Sequence, residues 1–148
     1  MVELRMRPTQ LKTSVDPPPR ILVVDDNQDA AHTLTRLLNV LGFIAEATYS
    51  GESAIAAIED CAPAIAFLDL GMPVMDGVET ATRIRQSENG REVVLIALTG
   101  HEREEDVART RAAGFVAHLV KPVDLAALEK ALCELCGYPL ESKSPAPK

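Results

Sequence analysis

Five short apolar runs, each closing on a polar residue, constrain this chain more than any other feature. Ile21-Leu22-Val23-Val24 runs into Asp25-Asp26, Ile65-Ala66-Phe67-Leu68 into Asp69, and Val93 to Leu98 into Thr99. Val116 to Val120 ends at Lys121, and Ile44 to Thr48 is a weaker fifth run. Runs that are apolar throughout, without alternation, suit parallel strands covered on both faces. Helical spacing fills the intervals. Leu34, Leu37, Leu38 and Leu41 share one face before Gly42, and Ala54, Ile55 and Ile58 follow Ser50-Gly51-Glu52. A third segment runs from about Met75 through Ile84, and a charged one from Glu102 to Ala113 stops at Gly114. Asp124 caps a last helix carrying Leu125, Leu128, Leu132 and Leu135 inward. Five strands alternating with five helices predict an α/β fold on a doubly wound, five-stranded parallel sheet.

The chain has 148 residues, room for one domain. Residues 1–19 close in Asp16-Pro17-Pro18-Pro19 and show no sustained period, so a flexible N-terminal arm is expected there. Residues 138–148 are rich in Pro, Ser and Lys and read as a flexible tail, which leaves 20–137 as the folded domain. Acidic residues outnumber basic ones 22 to 15, for a net charge of −7. That balance argues against nucleic acid and against an anionic membrane surface as partners. No apolar run approaches the roughly 20 residues needed to span a bilayer, and the first residues lack the apolar stretch of a secretion signal. Three cysteines are too few for a disulfide framework, which points to a reducing, cytoplasmic setting.

In a doubly wound sheet, ligands bind outside the carboxyl ends of the strands. Here those ends deliver Asp25, Asp26, Asp69, Thr99 and Lys121 to one rim. Any one of them has an ordinary structural explanation as a cap, turn residue or solvated charge. Their joint placement does not. Clustered carboxylates repel unless a cation neutralises them, and oxygen ligands favour Mg²⁺ or Ca²⁺. A lysine and a hydroxyl opposite suit the oxygens of a phosphate, so the rim reads as a phosphoryl site in which an aspartate is itself the nucleophile.

The segments ILVVDDN (21–27), FLDLGMPVMDG (67–77), IALTGH (96–101) and HLVKPVD (118–124) resemble the receiver domain of two-component response regulators, of the stand-alone or hybrid-kinase type. The resemblance covers residues 20–137 and implies the flavodoxin-like (βα)5 receiver fold. It implies Asp69 as phospho-acceptor, with Lys121 as phosphate partner and Thr99 as switch hydroxyl. The Mg²⁺ ligands would be Asp25, Asp26, Asp69 and the backbone carbonyl of Gly71, Asp25 acting mainly through water. The backbone at Met72 and Gly100 would hold the phosphoryl group, and the Lys121–Pro122 bond would be cis. His118 stands at the second switch position, where the family usually has Tyr or Phe. Gly71 stands where Asn or a larger residue is more usual. The partners implied are a histidine kinase or histidine phosphotransfer protein, and a downstream protein that the sequence does not identify. Such a domain catalyses only its own phosphorylation and slow dephosphorylation. Ala30, Ala31 and Leu34, with Pro122-Val123, form the expected docking rim for the donor.

Two rival readings are weaker. An aspartyl-nucleophile phosphatase of the haloacid dehalogenase type wants a second Asp two residues after the nucleophile, and Gly71 occupies that place. A degenerate receiver serving only as an interaction module would have lost an acid, the acceptor or the lysine, and none is missing. Cys133 and Cys136 form a C-x-x-C without a thioredoxin-like context, so they read as packing residues. His32 reads as solvated or capping, and the 102–106 charge run as a solvated helix face.

Overall fold

The computed structural model describes residues 11–13, 18–100, 104–135 and 140–142. Elements follow in the order β1 (Leu11–Thr13), β2 (Arg20–Val24), α1 (Gln28–Val40), β3 (Ile44–Thr48), α2 (Gly51–Cys61), β4 (Ile65–Asp69) and α3 (Gly77–Gln86). Then come β5 (Val94–Thr99), α4 (Glu104–Ala112), β6 (Phe115–Val120), α5 (Leu125–Lys130), a π-helical turn (Ala131–Leu135) and β7 (Leu140–Ser142). Five strands form one parallel sheet in the order β3-β2-β4-β5-β6. This is the doubly wound, flavodoxin-like arrangement expected. The order reverses at β2, because β3 lies on one side of it and β4 on the other, so a crevice opens at their carboxyl ends.

The continuous apolar runs mark the strands that are covered on both faces. Every residue of β4 is buried, as are the last four of β2 and the last five of β5. Alternate side chains feed two cores. Val23, Phe67, Ile96 and Leu98 pack under Leu34 and Leu38 of α1 and Leu128 of α5. Val24, Leu68, Leu95 and Ala97 pack under Ala54 and Ile58 of α2 and Ala81 and Ile84 of α3. The edge strands β3 and β6 are only partly covered, and the weaker run at 44–48 reflects this. Leu125, expected inward, is 40% exposed, because the first turn of α5 stands clear of the sheet and burial begins with Leu128.

Helix starts follow their capping residues. Asn27, Ser50, Asp76 and Asp124 each accept a backbone N–H three residues on. Asp76 moves the start of α3 to Gly77, two residues later than the apolar spacing indicates. Gly77 itself is needed there, since a Cβ would lie 2.6 Å from the Asp69 carbonyl oxygen. A second short sheet pairs β1 with β7 antiparallel, Lys12 standing opposite Glu141. Both strands fall within the segments expected as arm and tail. At three residues each, they are too short to show a period.

Candidate functional site

The crevice collects its side chains because the backbone fixes each strand end. The Asp25 N–H donates to the Thr48 carbonyl at 3.2 Å, holding β2 to β3 at the rim. Asp25 Oδ1 then accepts the Asn27 N–H at 2.9 Å, which turns its carboxylate inward while Asn27 caps α1. Asp69 Oδ1 accepts the Gly71 N–H at 3.0 Å, and Leu70 N–H donates to Leu98 at 3.0 Å. The Thr99 carbonyl accepts the Lys121 N–H at 2.7 Å, which sets the lysine opposite the acids. The Lys121–Pro122 peptide is cis.

From that position Lys121 Nζ reaches Asp25 Oδ2 at 3.1 Å and Asp69 Oδ2 at 3.4 Å. Asp25, Asp69 and Thr99 are buried, whereas Asp26 is exposed. Burial pushes the Asp25 carboxyl above its usual range, and the Asp69 carboxylate adds to the push; the Asn27 amide and Lys121 oppose it without prevailing. Burial pulls Lys121 down, yet its hydrogen bond to Asp25 and the charge of Asp69 outweigh that and leave it raised. The two directions look contradictory for one ion pair. They are reconciled by burial and by sharing: Asp25 is desolvated and has only part of one ammonium, whereas Lys121 faces both Asp25 and Asp69.

Carboxylate oxygens of Asp25, Asp26 and Asp69 lie within 4.8 Å of one another. Hard oxygens with an uncompensated negative charge, and no His or Cys in the cluster, fit a divalent cation of the Mg²⁺ kind. Beside the cluster, a cavity of about 450 Å³ is lined by Asp69, Thr99, Gly100 and Lys121 together with Gly71 and Arg109. Asp69, Thr99 and Lys121 therefore share one space large enough for a phosphate. The side chain of Met72 is buried in the core beneath the turn, which leaves only its backbone for the rim.

His118 is not part of this space. It lines a separate cavity of about 260 Å³ with Ala127, Lys130 and Glu134, and its Nε2 lies 2.6 Å from Thr110 Oγ on α4. The expected docking rim is corrected at one residue. Ala30, Leu34, Pro122 and Val123 line an open cavity of about 440 Å³, but Ala31 is fully buried in the core and presents nothing to a partner. One residue's step around α1 turns Ala31 from the rim to the sheet. His32, expected to be solvated or capping, pairs through Nε2 with the Tyr49 hydroxyl at 2.7 Å. Cys133 is exposed; Cys136, His101, Glu102 and Arg103 lie outside the described residues.

Two arginines carry contacts that the sequence reading missed. Arg85 donates to the carbonyls of Gly90, Arg91 and Val93 at 2.6–3.1 Å and to Gly114 at 3.1 Å. Gly114 has φ +102°, and a Cβ there would sit 2.7 Å from Arg85 Nε. Arg109 reaches the phosphate-sized cavity from α4 and lies 3.6 Å from Asp76. Both are basic residues in the last turn of a helix, and no local pattern separates them from solvated charges.

Known proteins share this arrangement. A family model described as "Response regulator receiver domain" matches residues 21–133. The chain is 35% identical over 116 residues to an uncharacterized 14.6 kDa protein of Leptolyngbya boryana, covering 78% of this chain and 88% of that one. It is 34% identical over 129 residues to the transcriptional regulatory protein PrrA of Mycobacterium tuberculosis, covering 85% of this chain but only 54% of that protein. Among solved structures, the receiver domain of the sensor histidine kinase PA1611 from Pseudomonas aeruginosa superposes with TM-score 0.73 at 31% identity, covering 81% of this chain and 98% of that one. That structure has a magnesium ion coordinated in its active-site cleft. The receiver domain of Ssk1 from Saccharomyces cerevisiae, solved with the histidine phosphotransfer protein Ypd1, superposes with TM-score 0.73 at 27% identity, covering 82% and 90%. The chain belongs to the response regulator receiver family of two-component and phosphorelay systems. Among the described residues no helix is long and apolar enough to cross a membrane.

Proposed function

We propose that this receiver accepts a phosphoryl group on Asp69 from the phosphohistidine of a histidine kinase or phosphotransfer protein, and signals by the change that follows. The observation that carries this reading is Lys121 Nζ placed between Asp25 and Asp69, 3.1 and 3.4 Å away, on the wall of a phosphate-sized cavity. Asp25, Asp26 and Asp69 would hold Mg²⁺, as the Mg²⁺-bound receiver of PA1611 supports, with the Gly71 carbonyl as the further ligand expected. The ion would offset charge on the acids and on the phosphoryl oxygens, as bound divalent cations do in phosphoryl transfer generally.

The chain's own groups do the rest. An Asp69 oxygen forms the new O–P bond while the bond from phosphorus to the donor nitrogen breaks, the electron pair leaving with the imidazole. Lys121 exchanges its contact with Asp69 for one with a phosphoryl oxygen. Thr99 donates its hydroxyl to another, and the Met72 and Gly100 backbone complete the cradle. Added negative charge then biases a pre-existing equilibrium involving α4, β6 and α5, which a downstream protein reads. On this reading the protein is a signalling phospho-acceptor that turns over no separate substrate, and it works in the cytoplasm beside its kinase. Acetyl phosphate with Mg²⁺ should add one phosphoryl group by intact mass, and Asp69→Asn should abolish the addition. Labelling of the variant at the wild-type level would remove Asp69 from the role.

A further inference from the structure

We propose that Arg109 recruits the anionic phosphodonor at the mouth of the acceptor cavity, and that Asp76 tunes it by competing for its guanidinium. The inference rests on the reading of Asp69 as acceptor and adds a specificity residue to it. Asp69 lines the cavity and Asp25 and Asp26 adjoin it, so before Mg²⁺ binds three carboxylates face one ammonium, a charge unfavourable to any phosphodonor. The whole chain is acidic as well, at −7. A phosphoramidate or mixed anhydride must enter that field, and a cation at the entrance lowers the barrier to entry.

Among the described residues, Arg109 is placed to supply one. It lines the same cavity as Asp69, Thr99 and Lys121. The flanking positions Gly71 and Gly100 bear no side chain; a Cβ at Gly100 would meet nothing within 4 Å, and one at Gly71 would meet only Asp69 Oδ1 at 3.8 Å. Among the described residues, neither glycine narrows the mouth between Arg109 and the acids. A guanidinium offers a planar fork of donors that matches two phosphate oxygens at once, which an ammonium cannot do.

Asp76 is held where it can compete. Its Oδ1 accepts the Glu79 N–H at 2.9 Å as the cap of α3, and its Oδ2 faces Arg109 Nη2 at 3.6 Å. Both side chains are about half exposed, at 57% and 45%. A pair so open to water is weak, so an arriving dianion can displace the carboxylate at small cost. With acetyl phosphate as donor the transfer balances without a proton or an oxidant. An Asp69 oxygen forms the O–P bond, the bond from phosphorus to the acetyl oxygen breaks, and the pair leaves as acetate.

The test is the initial rate of acetyl phosphate labelling at saturating Mg²⁺, with donor concentration varied. Arg109→Ala should raise the half-saturating donor concentration about two- to fivefold, the range of a partly exposed ion pair, with the saturated rate unchanged. Arg109→Lys should recover part of the loss. Asp76→Asn keeps the helix cap, because Asn caps as well as Asp, and should shift half-saturation the opposite way. High salt should shrink all these differences. If the pair only braces α4 against α3, both single variants lose the same contact and shift in the same direction, and the proposal falls. Unchanged half-saturation in Arg109→Ala overturns it too. A wild-type protein that never labels, or an Asp69→Asn variant that labels normally, strikes instead at the acceptor assignment beneath it.

Discussion

His118 donates a hydrogen bond from Nε2 to Thr110 Oγ across 2.6 Å, tying β6 to α4 at the residue proposed as the second switch. The direction follows from the neighbour, since the Thr110 hydroxyl spends its own proton on the Val107 carbonyl at 3.0 Å. Neutral and charged imidazole can both make this bond when Nε2 carries hydrogen. Turning the ring inward forfeits it.

Thr110→Val should therefore release the switch. The substitution keeps the buried shape and removes the acceptor, at a stability cost of about 1 kcal/mol. With beryllofluoride and Mg²⁺ standing in for the phosphoryl group, the imidazole signals of His118 should shift further, by NMR, in Thr110→Val than in wild type. His118 signals that ignore the mimic in both proteins, while Thr99 responds, would show that the ring takes no part.

The acidic cluster should make the metal-free protein less stable than its packing allows. Asp25 has its pKa raised by burial, so the folded state holds that proton more tightly than the unfolded chain. Stability from this group is present below the ordinary carboxylate range and is lost as pH rises through the raised value. Mg²⁺ binding to the folded site alone should restore it, by about 2.7 kcal/mol at a hundredfold excess over Kd. Asp26→Asn should weaken that Mg²⁺ effect while raising the metal-free melting temperature. A variant that melts lower without metal and responds normally to Mg²⁺ contradicts the repulsion account.

The five strands of the parallel sheet, its class and the rim residues were legible in the sequence because burial on both faces forces continuous apolar runs. Asp25, Asp69, Thr99 and Lys121 each follow such a run, so their places came with the strands. What was not legible depends on contacts between distant segments. His118 finds Thr110, Arg85 reaches Gly114, and Arg109 meets Asp76 across gaps of 8, 29 and 33 positions. Ala31 was misplaced for a smaller reason, as α1 turns by about 100° per residue and a neighbour of a rim residue faces the core.

Val74 offers a test of strain beside the acceptor. It is a β-branched residue at φ +68°, 99% exposed, in a turn closed by Met75 N–H to the Pro73 carbonyl at 2.7 Å. A positive φ is costly for such a side chain, on the order of 1–3 kcal/mol, and no packing offsets it. Gly relieves the strain but loosens the unfolded chain by about 0.4–1 kcal/mol. Val74→Gly should thus gain about 1 kcal/mol in urea unfolding with an unchanged m value. A loss of stability would mean the turn is not strained.

Docking of the donor protein is tested at Ala30 rather than Ala31. Ala30→Glu places a charge in the cavity bounded by Leu34, Pro122 and Val123. Transfer from a phosphorylated histidine phosphotransfer protein should slow at least about tenfold, the cost of a like-charge or desolvated contact. Acetyl phosphate labelling should fall much less, because a small donor reaches Asp69 without docking on α1, although Asp25 and Lys121 line the same cavity as Ala30. Equal loss of both reactions would show damage to the site itself.

The central claim is chemical, and borohydride addresses it most directly. An aspartyl phosphate is an acyl phosphate, which hydride reduces to homoserine, whereas a free carboxylate is untouched. Protein labelled with acetyl phosphate and Mg²⁺, reduced and digested, should yield homoserine in place of Asp69 and nowhere else by peptide sequencing in a mass spectrometer. Homoserine at Asp25 or Asp26, or a labelled protein with Asp69 intact, would contradict the account.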